Sequence, residues 1–102
     1  MEGHASISAD VLARYVADAA LEVDGVHSLV GSHLPRHRPV RIAVGDDGRI
    51  SVEVRLAAEW GAPFGSVGSD VQARVAEYLT RMADVQPARI DVVVDEVGPV
   101  RA

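Results

Sequence analysis

The segment VRIAVGDDGRISVEVRL, Val40 to Leu56, decides the fold. Val40, Ile42 and Val44 alternate with Arg41 and Ala43; beyond Gly45 to Gly48, Ile50, Val52, Val54 and Leu56 alternate with Ser51, Glu53 and Arg55. Successive side chains of a strand point to opposite faces, so the pattern describes a hairpin with one apolar and one wet face. Asp47-Gly48 supplies residues tolerant of positive φ at the turn. A slip of one residue would bury Glu53 and Arg55, so the alternation also fixes the register.

Downstream, Gly61, Pro63 and Gly65 break the chain before Val67, Val71, Val75, Tyr78, Leu79, Met82 and Val85, whose spacing is helical. Ser66 or Ser69 is a candidate N-cap, and Ser69 with Gln72 fits a capping box. Pro87 prevents the helix from running much further. Ile90, Val92 and Val94 then alternate with Asp91 and Asp95, predicting a closing strand with Val93 and Val97 as apolar exceptions on its outer face. A strand–helix–strand unit of this kind sets its two strands parallel through a right-handed crossover.

Upstream, Ser8 reads as an N-cap and Asp10 suits the positive end of a helix whose apolar stripe is Leu12, Tyr15, Val16, Ala19 and Val23. The stretch EVDGV, Glu22 to Val26, closes that helix, with Gly25 as its stop. A short strand around Val26 to Val30 and a loop, GSHLPRHRP, Gly31 to Pro39, lead into the hairpin. The expectation is one α+β domain over residues 1–102, with two helices packed on one face of a small mixed β-sheet.

Composition narrows the function. At 102 residues, 48% hydrophobic and 25% charged, the chain suits one core and lies outside disordered composition. All ten basic residues are Arg, and the net charge of −5 opposes nonspecific adhesion to nucleic acid or anionic lipid, so nucleic acid is not the expected partner. With no Cys there is no disulfide framework, thiolate nucleophile or thiolate metal site, which suits a cytoplasmic setting. No basic-apolar leader and no run of about 18 apolar residues occurs, so neither secretion nor direct membrane insertion is expected.

Candidate sites are few. His33 and His37 have a four-residue spacing, but Pro35 lies between them and no carboxylate or Cys completes a ligand set. Arg36, Arg38 and Arg41 fall where no acidic residue occurs between Asp24 and Asp46, a cluster suited to phosphate or an acidic partner surface, or to simple solvation. Gly61, Gly65 and Gly68 lack the spacing of a phosphate loop. No Ser or Thr stands in a legible triad with His and a carboxylate, so no catalytic, cofactor or metal site is expected and the chain is not expected to be an enzyme. Trp60, the only Trp, suits either an anchor at the core edge or one in an interface. The candidate partner-binding residues are therefore Trp60, Arg36, Arg38, Arg41, Val93 and Val97.

Taken in order, Ile7-Ser8, Glu22 to Val26, the hairpin Val40 to Leu56, Trp60-Gly61, Val71 to Val75 and Ile90 to Val94 make the chain resemble the alkaline shock protein twenty-three family, also called the Gls-twenty-four type, of bacterial envelope stress response proteins. The resemblance covers nearly the whole chain and lies in the order and spacing of motifs that are individually common. The chain departs from it in having Trp60 where Tyr is usual, Ala83-Asp84 where Thr-Gly is frequent, and a Pro/Arg-rich central loop. The resemblance implies a non-enzymatic, cytoplasmic module without cofactor, membrane-proximal through a partner. That partner would be the protein itself, homologous domains or a membrane-anchored relative. Two other readings stay open: a nucleic-acid-binding domain using the Arg-rich loop, and a small-molecule or enzymatic domain.

Overall fold

The computed structural model describes residues 7–30 and 38–100. The elements run α1 (Ala9–Leu21), β1 (Val26–Leu29), β2 (Val40–Val44), β3 (Ile50–Glu59), α2 (Phe64–Ala83) and β4 (Arg89–Gly98). Every other strand pairs with β3. β2 lies antiparallel to it from Val44↔Ile50 to Val40↔Val54, and β1 continues the same side from Leu29↔Leu56 to Val26↔Ala58. Arg55 is the hand-over point: its N–H donates to the Pro39 carbonyl at 2.8 Å and its carbonyl accepts from the Val30 N–H at 3.1 Å. β4 runs parallel along the other side of β3, from Ser51↔Arg89 to Glu59↔Gly98. The sheet is thus mixed and the fold α+β, as the hairpin and crossover patterns require.

Alternation along β3 sorts the two faces. Val52, Val54, Leu56 and Ala58 are at most 1% exposed, whereas Ser51, Glu53 and Arg55 are half-exposed. The buried set joins Leu12, Val16 and Ala19 of α1 and Val67, Val71, Val75 and Leu79 of α2 in one hydrophobic cluster, so both helices cover a single face. The opposite face has no helix over it among the described residues.

Local chemistry explains where the helices begin and end, and corrects three expectations. Ser8 caps α1 as its type suggests, its hydroxyl oxygen accepting from the Val11 N–H at 3.2 Å. The helix ends at Leu21 with Glu22 as its cap, so Gly25 is not the stop. Gly25 instead turns the chain at φ +92°, and a Cβ there would stand 2.7 Å from a methyl of Val67. Its N–H donates to Glu59 Oε1 at 3.2 Å, and its carbonyl accepts from the Glu59 N–H at 2.7 Å. The EVDGV stretch is therefore a docking turn that seats the end of α1 against α2 and β3.

Helix α2 starts at Phe64, with Pro63 as its cap and no side-chain cap bond, so Ser66 and Ser69 are not caps but lie within the first turns. The Pro63 carbonyl already accepts from the Val67 N–H at 3.0 Å, and the fixed proline φ suits a helix entry. Gln72 does not close a capping box; its amide donates to the Ile90 carbonyl at 2.9 Å and ties α2 to β4. At the other end Asp84 takes the left-handed conformation, φ 53° and ψ 40°. Met82 lies on the rim of the stripe and is 46% exposed rather than in the core, while Val85, just past the left-handed turn, packs on the core.

Candidate functional site

The surface left over by this packing is the outer face of the sheet. Registration across β2, β3 and β4 sets Arg41, Glu53 and Asp91 in one row and Ala43, Ser51 and Arg89 in the next, with Arg55 beside Val93. Arg55 sits at the centre. Its guanidinium donates to Asp95 at 2.7 Å and Glu53 at 3.2 Å, and these bonds, Asp95 foremost, raise its pKa above the ordinary arginine value. Arg89 pairs with Asp91 at 2.9 Å. The face carries interleaved charges of both signs, with Glu53 and Asp91 side by side, and half-buried Val93 is the apolar point on β4.

The far end of the same face is closed differently. In β1 the register shifts at His27, and in β4 it shifts between Val94 and Glu96, leaving Asp95 as the extra residue. Gly98 pairs with Glu59, an outer-face position, and a Cβ on it would overlap the His27 ring. The imidazole therefore reaches across β3 to β4 on the outer face. Ala57, between them, is only 2% exposed although it points away from the core. The His27 Nδ1 is buried and has no hydrogen-bond partner among the described residues.

The bulge at Asp95 also corrects the placement of Val97. It pairs with Ala58, a core-face residue, so it lies on the helix side of the sheet and not on the outer face, and it is 46% exposed. Val93 keeps the expected outer position opposite Arg55. Trp60 is 77% exposed, which removes the core-edge reading; its backbone N–H donates to the Gly98 carbonyl at 2.8 Å, so the residue follows the end of β3 beside β4.

The Arg cluster is only partly drawn together. Arg36 lies outside the described residues, as do His33 and His37. Arg38 is held to Asp10 of α1 at 3.1 Å, so half the described cluster is already neutralised; Arg38 and Arg41 border a shallow cleft with Asp10 and Ala13. A second cleft between the end of α1 and α2 gathers Glu22, Asp24, Asp70 and Glu77 around Arg74, which lies 3.6 Å from Glu22. Among the described residues no group of three or more His, Asp or Glu could hold a metal ion, and no helix is long and apolar enough to cross a membrane.

The molecule these observations define is a small two-layer α+β domain, helices on one side and a charged open sheet on the other. Its sequence matches the model of the alkaline shock protein twenty-three family, described by a cell envelope-related function, over residues 1–99. The chain belongs to that family. Comparison with curated proteins and with solved structures gave no match.

Proposed function

We propose that this protein is a non-enzymatic association module of the cell envelope, working on the cytoplasmic side of the membrane by joining its sheet to another domain of its own kind. That domain is a second copy, a homologous domain or a membrane-anchored relative. The observation that carries the reading is the asymmetry of cover: both apolar helix stripes are consumed in the one core, while among the described residues the outer face has no helix over it and the long β4 edge has no strand beside it, only the Gln72 amide at the Ile90 carbonyl. Uncovered edges and residual apolar surface are where small domains meet partners. The shallow, charged clefts and the self-paired outer-face charges support recognition rather than chemistry, since among the described residues no nucleophile, base and oxyanion donors converge on one point.

Sedimentation equilibrium over a wide concentration range, alone and mixed with a purified homologous domain, tests the proposal. Concentration-dependent association is the expected result. A strict monomer in both experiments overturns it.

A further inference from the structure

We propose that β4 is a self-pairing edge: two copies join antiparallel through it, in the register that sets Val92 against Val92 of the second copy. The inference rests on the association reading and specifies its partner and geometry. It begins with which backbone groups β4 leaves open. Arg55 directs its N–H and carbonyl to the β1/β2 side of β3, so its neighbours Val54 and Leu56 direct theirs to β4. In a parallel ladder a residue bonds to the two residues flanking its partner. Val54, whose partner is Val92, therefore engages Asp91 and Val93, and the N–H and carbonyl groups of Ile90, Val92 and Val94 point away from the sheet. The Gln72 amide confirms the direction, since it reaches the Ile90 carbonyl from α2.

Joining two such edges by a two-fold axis makes the strands antiparallel and keeps both helix layers on one side, so paired positions must share a face. Only a few registers satisfy this. Centring on Asp91 sets Asp91 against its own copy. Centring on Val93 sets Asp91 against Asp95 twice and carries the ladder into the bulge beyond Val94. Centring on Ile90 or Val94 runs the ladder off the start of β4 or through the bulge. Like charges directly opposite each other disfavour the first two registers, and lost hydrogen bonds disfavour the others.

Centring on Val92 meets every requirement at once. Ile90, Val92 and Val94 face Val94, Val92 and Ile90 of the second copy, and these are the three residues whose N–H and carbonyl groups point outward; all are open to exchange hydrogen bonds except the Ile90 carbonyl, which must share or release the Gln72 amide on pairing. On the core face the same three side chains, only partly covered within one chain, extend the apolar layer across the junction. On the outer face Arg89 stands opposite Asp95 of the second copy twice, and Asp91 stands opposite Val93. Asp95 is already aligned by Arg55, so the incoming Arg89 completes a row running from Glu53 through Arg55 and Asp95 to the second copy.

Because the chain has no cysteine, single-cysteine variants read the register directly. In the proposed dimer the two Cα atoms at position 92 are about 5.5 Å apart, within disulfide reach. The two at position 93 are diagonal neighbours about 7–8 Å apart, at or beyond it. Val92→Cys is expected to form a disulfide-linked dimer under mild oxidation, and Val93→Cys is not. Backbone amide exchange of the wild-type protein supplies a check free of mutation: the Val92 and Val94 amides are expected to slow as concentration rises. Val92→Pro, which removes an N–H the monomer fold does not use, is expected to abolish both the concentration-dependent slowing at Val94 and association.

Cross-linking through Val93→Cys in preference to Val92→Cys, or no change at the Val92 and Val94 amides while the wild-type protein associates, overturns this edge and register and leaves the association reading standing. A wild-type chain that stays monomeric alone overturns self-pairing; the wider reading then falls only if the homologous domain also fails to bind.

Discussion

Replacing Gly25 by Ala tests how the two helices are locked to the sheet. The backbone at this position has φ +92°, where an L-residue carries a penalty of roughly 1–2 kcal/mol. The added Cβ would also stand 2.7 Å from the Val67 methyl, and Val67 cannot swing aside because a β-branched side chain in a helix has one strongly preferred rotamer. Overpacking of this kind costs about 1–3 kcal/mol. The two terms together come to roughly 2–5 kcal/mol, a large share of the ~5–15 kcal/mol that holds a domain of this size. Each kcal/mol lowers the midpoint of thermal unfolding by about 4–8 °C. Chemical denaturation of the wild type, Gly25→Ala, Val67→Ala and the double variant separates the terms. Val67→Ala alone should cost roughly 2 kcal/mol of lost burial. In the double variant the new methyl enters space the valine vacated, so the combined cost should fall short of the sum by about 1–3 kcal/mol. Additivity within about 0.5 kcal/mol would refute the steric reading, and a Gly25→Ala cost below about 1 kcal/mol would refute both terms.

Burying a carboxylate at Val75, which is fully enclosed by the core, costs several kcal/mol, so Val75→Asp should unfold the domain by circular dichroism. Arg74→Asp, which loses an exposed contact to Glu22 and adds a carboxylate to that acidic cleft, should lower stability by about 1 kcal/mol and leave the domain folded. At Asp84, held at φ 53°, substitution by Gly should raise stability by up to about 1 kcal/mol in urea titration and substitution by Val should lower it. Vesicles containing acidic lipid should not sediment the isolated chain at physiological salt; tight binding lost in Arg38→Glu/Arg41→Glu would contradict the assignment of its contacts to protein partners.

The parts of the fold that were legible in sequence are those carried by a period. Two-residue alternation through Val40 to Leu56 yields the hairpin and both of its faces, and three- and four-residue spacing from Val67 to Leu79 yields α2. The parts that were not legible depend on contacts distant in sequence or on backbone geometry without a side-chain signature. Nothing near Gly25 announces that Val67 will press against it, and the bulge at Asp95, which turns Val97 to the helix side, leaves no mark in an otherwise regular strand. The start of α2 was missed because two good capping residues, Ser66 and Ser69, lie inside a helix whose entry is set by the Pro63 backbone. Of the candidate site, Val93 was readable as an apolar exception among acidic neighbours, whereas the exposure of Trp60 depends on tertiary packing around the end of β3 and has no signature in its neighbours. His27 gave no signal at all, since its position follows from a register shift and from the absence of a side chain on Gly98.

The claim that the open sheet, and not the helical layer, meets another protein can be tested by site-specific photo-cross-linking in cells. A photoreactive residue is placed at Val93 on the outer face or at Ala73 on the exposed side of α2. Adducts from position 93 with a second copy or a homologous envelope protein are expected, and none from position 73. Adducts from position 73 with none from position 93 would contradict it.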